Sequence, residues 1–99
     1  MSRLDREGLI ASAITALGAS PDPAGISDLV ASKGHINVAA SHAEVGPAIK
    51  RLANVSGYRW LVINSADLFA VNPLTMGTKV GLLDASGRVL KAADLPRPR

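Results

Sequence analysis

A chain of 99 residues has room for one small core, so a single folded domain is expected and a second one is not. With 47% hydrophobic and 19% charged residues it stands apart from the charge-rich, apolar-poor composition of disordered chains. Cysteine is absent, which excludes disulfides and thiolate metal sites.

The net charge is +3, and its distribution says more than its size. Lys33, Lys50, Arg51 and Arg59 face a single acid, Glu44, across one segment, which therefore carries the whole excess. Such a cluster is the electrostatic footprint of a nucleic-acid binder, although four cations also occur on ordinary solvated faces. Met1 to Arg6 has mixed charge, and the apolar positions after it are broken by Gly8, Ser12 and Thr15, so no signal peptide is expected. No apolar run approaches the roughly 20 residues that span a bilayer. A cytoplasmic protein with no membrane partner is the expectation.

The first helix is expected over Arg3 to Leu17, with Ser2 as cap and Asp5 at its third position. Its inward stripe would be Leu9, Ile10, Ala13, Ile14 and Leu17, and Gly18 would end it. Ala19 to Gly25 reads as a loop. Asp22 followed by Pro23 then resembles a helix start, which predicts a second helix from Pro23 to about Lys33, with Ile26, Leu29 and Val30 inward and Gly34 closing it. His35 to Ala40 is either an enlarged turn or a short strand over Ile36 to Ala39 that pairs with a later hairpin.

A third helix follows. Val45, Ala48, Ile49, Leu52 and Val55 recur at three- and four-residue steps. Its start is open to two readings. Ser41 with Glu44 has capping-box spacing, which would leave Pro47 inside the helix; with Gly46 as cap, Pro47 falls at the favoured first position, and this second reading is preferred. Opposite the stripe lie Ala43, Gly46, Pro47, Lys50 and Asn54, with Arg51 at the margin. Tyr58 to Ile63 and Leu68 to Val71 then look like two strands joined by the turn Asn64 to Asp67, with Tyr58, Trp60 and Phe69 anchoring the core. Asn72 and Pro73 end this hairpin. A second hairpin is expected from Lys79 to Asp84 and Arg88 to Ala92 around Ala85, Ser86 and Gly87. Its Val80, Leu82, Leu83, Val89 and Leu90 would have little core left to join, which suggests an apolar edge pairing two copies into a homodimer. The end, LPRPR, reads as a solvated tail whose Arg97 and Arg99 lie within reach of a phosphate backbone.

The runs AIKRLA, SGY and RWLVI…LFAVN, preceded by two helices, resemble the recognition helix and wing of winged helix-turn-helix regulators of bacteria and phages, including those of the biotin-repressor type. The resemblance implies an α+β fold: a three-helix winged helix-turn-helix with a β-hairpin wing over residues 1–73, an additional C-terminal β-hairpin over 74–94, and a tail at 95–99. It also implies a small sequence-specific DNA-binding regulator, a repressor or excision factor, that lays its third helix in the major groove of double-stranded DNA. The contacts would come from Lys33, His42, Lys50, Arg51, Asn54 and Arg59. A wing tip without Lys or Arg, where Asp67 repels phosphates, points instead to packing or protein contact. The alternative is therefore a protein–protein interaction module acting on transcription, replication or assembly machinery, phage-encoded or from a GC-rich host.

Chemistry is not expected. His35 and His42 with Glu44 make a poor metal site, and Gly77 to Gly81 lacks the order of a phosphate loop. No nucleophile-elbow motif gathers Ser, His and Asp, so neither an enzyme nor a cofactor is anticipated.

Overall fold

The computed structural model describes residues 4–53 and 55–95. Helix α1, Arg6–Leu17, opens at Asp5, whose carboxylate accepts the Gly8 N–H at 2.8 Å, and closes at Gly18 in the left-handed conformation. The cap expected at Ser2 lies outside the described residues. Leu9 and Ala13 are buried and Ile10 and Leu17 pack beside them, whereas Ile14 turns to solvent.

The second helix is not there. Asp22 spends its carboxylate on its own loop, accepting the N–H groups of Ala24, Ile26 and Ser27, so it folds the chain back rather than launching a helix. Strands take its place: β1, Ser20–Pro21, β2, Leu29–Ala31, and β3, Gly34–Val38, form an antiparallel ladder with Val30 opposite His35. The short strand considered for Ile36 to Ala39 thus exists, beginning earlier, and it runs parallel to β4, Arg59–Val62.

Helix α2, His42–Leu52, connects those two strands. It starts at Ser41, so Pro47 sits within it, contrary to the preferred start at Gly46. Glu44 supports this early start, reaching the Ala40 N–H at 3.2 Å and the Ser41 hydroxyl at 3.3 Å. Val45, Ala48 and Leu52 are buried, as the periodicity requires.

The wing is replaced as well. After β4 comes a 3-10 turn, Ser65–Asp67, and then helix α3, Leu68–Thr75, which carries Pro73 inside it. This helix is a crossover to β5, Gly81–Leu83, which pairs with β4 in parallel, and β5 turns back into β6, Val89–Lys91. The turn between them is the one anticipated: the Asp84 carboxylate accepts the N–H groups of Ser86 and Arg88, and Gly87 takes the left-handed conformation.

The result is an α+β fold of three α-helices and a six-stranded mixed sheet in the order β1-β2-β3-β4-β5-β6, which corrects the winged helix-turn-helix expectation. Two successive crossovers run the same way along the sheet, which puts α2 and α3 on one face. There Leu61, Ile63, Val80 and Leu82 meet Val45, Leu52 and Val71. On the other face α1 covers Ile36, Val38, Trp60, Val62 and Leu83. Buried from both sides, the stretches Trp60 to Ile63 in and after β4 and Val80 to Leu83 through β5 read as nearly continuous apolar runs, whereas β3 carries His35 and the buried Asn37. Complete enclosure of side chains such as Leu61, Val62, Ile63, Leu82 and Leu83 stabilises the fold by roughly 1.5–3 kcal/mol each. Val80, Leu82 and Leu83, expected to lack a core, are within it.

Candidate interaction surface

Of the four cations that the sequence groups, the structure engages Lys33, Arg51 and Arg59 within the chain. Lys33 sits in the turn between β2 and β3 with its ammonium 5.2 Å from the centre of the Trp60 ring, while the Trp60 indole N–H donates to the Lys33 carbonyl at 3.1 Å. Arg59 is buried. Its guanidinium donates to the carbonyls of Leu52 at 3.4 Å and Thr78 at 2.8 Å, leaving Nε without a partner. A cation against the last carbonyls of α2 is favoured by the helix dipole, so its role is to tie β4 to that helix end rather than to meet a phosphate. His42 and Lys50 are exposed on α2, and Asn54 lies outside the described residues.

Arg51 is engaged. Asp28, with only 9% of its side chain exposed, accepts from Arg51 at 3.1 Å and from Arg6 at 2.6 Å, and also takes the Val38 N–H at 2.9 Å. Arg6 further donates to the Val38 carbonyl at 2.9 Å. Beside it the Asn64 amide accepts the Leu4 N–H at 2.9 Å and donates to the Leu4 carbonyl at 3.0 Å. Open sheets with parallel strands commonly bind ligands at the carboxyl ends of those strands. Here Leu4 and Arg6 lie across that position, bonded to Asn64 and to the Val38 carbonyl.

A Ser–His–Asp grouping does occur, one that no sequence motif announces. The Ser27 hydroxyl is 2.9 Å from His35 Nδ1 and 2.9 Å from the Leu29 carbonyl, and Asp22 Oδ2 is 3.6 Å from the same Nδ1. Backbone N–H groups of Ser27 and Ala24 hold the Asp22 carboxyl below its ordinary range, helped by the Ser27 hydroxyl and by His35. A nucleophilic triad places serine and aspartate on opposite ring nitrogens, whereas here both crowd one nitrogen and the serine is buried. The grouping braces a loop. Among the described residues no three His, Asp or Glu side chains gather as metal ligands.

What remains is the outer side of α3. Its inner side buries Val71 and Thr75, with Leu68 packed against the core. Outside, Phe69 is 91% exposed, Met76 just past the helix 69% and Leu74 41%. Ala70 and Pro73 lie exposed between them. Residues 68–78 contain no ionisable side chain. Phe69 and Tyr58, both expected to anchor the core, are exposed, leaving Trp60 as the buried aromatic. The signal for this surface was available: LFAVNPLT is apolar on more than one side, interrupted outside only by Asn72, too much so for a half-solvated wing strand. An acidic wing tip does not form, since Asn64 to Asp67 is the turn that leads into α3.

Comparison with protein-family models, curated proteins and solved structures finds no match. No helix among the described residues is long and apolar enough to cross a membrane.

Proposed function

We propose that the chain is a protein-interaction module that works through the outer face of α3. The observation that carries this reading is a phenylalanine left 91% exposed in the middle of an uncharged, mostly apolar surface whose one polar helical residue is Asn72. Exposed apolar patches of a few hundred Å² on a small protein are commonly binding sites, because leaving them in water forgoes about 25 cal/mol per Å². The test is a selection of displayed peptides against the full chain, followed by affinity measurement on the Phe69→Glu variant. Peptides that lose at least about tenfold in affinity, some 1.4 kcal/mol, support the reading; peptides indifferent to this change reject it.

A second reading, the DNA-binding regulator, is favoured by one observation. The outward face of α2 presents Ala43, Gly46, Pro47 and Lys50, all exposed and mostly small, which lets a backbone approach another surface closely. Fluorescence polarisation on random duplex DNA at low salt separates the two. Salt-sensitive binding that disappears on joint replacement of Lys50 and Arg51 by alanine supports the regulator, and its absence leaves the α3 face as the working surface.

A further inference from the structure

We infer that Leu4 to Arg6 is a displaceable strap filling a peptide-binding site at the carboxyl ends of β3 and β4. The ligand it stands in for is an extended segment with an apolar residue and, two positions on, an arginine. None of the α3 residues takes part, so this is a second surface, independent of that helix.

What the site recognises is shown by what fills it. Asn64, 7% exposed, meets main chain rather than a side chain: its amide oxygen accepts the Leu4 N–H at 2.9 Å, and its amide N–H donates to the Leu4 carbonyl at 3.0 Å. Any extended peptide offers that pair of groups. The Leu4 side chain packs against the buried cluster beneath α1, which makes a subsite for an apolar residue. Arg6 fills a third subsite. Its guanidinium donates to the Asp28 carboxylate at 2.6 Å and to the Val38 carbonyl at 2.9 Å, and lies 3.9 Å from Glu44. A planar fork held between a carboxylate and a carbonyl favours arginine over lysine.

The emptied site keeps both its charge and its shape. Without Arg6 it sets Asp28 and Glu44 against Arg51, a net charge of −1 within a chain that carries +3, so it draws a cation back. Asp28 would still hold the Arg51 guanidinium at 3.1 Å and the Val38 N–H at 2.9 Å, which keep its carboxylate aimed. Asn64 would still be fixed by the turn it opens, where its carbonyl accepts the Asp67 N–H at 2.9 Å. The strap itself is held lightly. Two neutral hydrogen bonds, a half-buried leucine and an arginine 44% exposed leave it open in roughly 1% of molecules. A competing segment therefore binds the unmodified chain up to about a hundredfold more weakly than a chain whose strap is loosened.

The test uses the full chain and a capped peptide that repeats residues 2–8. Leu4→Gly combined with Arg6→Ala loosens the strap and leaves Asn64, Asp28 and Glu44 in place. In NMR titrations the peptide should bind this variant at least about tenfold more tightly than the unmodified chain, and should shift the side-chain amide signal of Asn64. Arg6→Ala alone, which leaves the packing of Leu4 intact, should show the same order with a smaller gain. Peptides with serine for the leucine, or alanine for the arginine two positions on, should lose the gain against the same protein. Equal affinity for loosened and unmodified chains, or indifference to the peptide's arginine, overturns the inference. So does an absence of binding to the loosened chain at roughly 5 mM peptide, above the effective concentration of a tethered segment. Phe69→Glu should leave the titration unchanged, so the two surfaces are judged separately.

Discussion

Gly34 shows how far one residue's chemistry can be read. Its position marks an interruption, and the sequence supports taking that interruption as the end of a helix, whereas Gly34 in fact follows the turn of the β2–β3 hairpin. The two turn residues, Ser32 and Lys33, both keep negative φ, so the Asn-Gly type of signal that announces a hairpin is missing from them. The unusual backbone falls instead on Gly34, at φ 129°, where a Cβ would press on the Tyr58 carbonyl. Strain and overpacking then act together, and Gly34→Ala should cost about 2–4 kcal/mol in urea unfolding. Gly18, left-handed too but with open space around it, supplies the comparison: Gly18→Ala should cost only about 1 kcal/mol. Equal losses would mean that the approach of β3 to the Tyr58 carbonyl is not tight. Asp22 was legible in the same partial way, as a residue that collects N–H groups but not as one that collects those of its own loop.

At the scale of elements, the two crossover helices share an unusual feature, a proline as the sixth residue of each. Pro47 deprives the Ala43 carbonyl of its helical donor, and the early start of α2 at Ser41 is what places it there. Pro47 is exposed, so Pro47→Ala adds a backbone bond without disturbing the core. Allowing for the looser unfolded chain, it should stabilise by about 1–2 kcal/mol and raise Tm by roughly 5–10 °C in calorimetry. A fall in Tm would restore Gly46 as the helix start.

Elements whose cause is local were legible: the stripe of α1 and its Gly18 stop, the buried face of α2, the strand character of Arg59 to Val62, and the Asp84 to Gly87 turn. Those decided by distant partners were not. Leu68 to Val71 has the composition of a strand and becomes a helix because β4 pairs with β5 in parallel, which demands a crossover of about a dozen residues or more. The stretch from Ile63 to Val80 is long enough to hold one, and that length was the overlooked clue. With the wing lost, the site changed too. Lys33, Arg51 and Arg59 are engaged by Trp60, Asp28 and backbone carbonyls, contacts made across the fold that the charge pattern of the sequence does not announce.

For the molecule as a whole, two cores lie back to back on one sheet and share β4 and β5. Neither layer of helices has a sheet of its own, so they should be lost together. Trp60, 8% exposed and the sole tryptophan, reports on the α1 side, whereas far-ultraviolet dichroism reports on all three helices. Both signals should change at the same urea concentration with the same slope. An earlier fluorescence transition would show that α1 lifts away while the α2–α3 layer persists.

The amide of Asn64 that clasps Leu4 joins positions 60 residues apart. On a ribosome, which delivers the amino end first, Leu4 therefore emerges long before its clasp has been synthesised. Ile36, Trp60 and Leu83, on which α1 rests, also arrive late. Helix α1 therefore has no complete seat until synthesis has reached Leu83, and its apolar side stays uncovered throughout that interval.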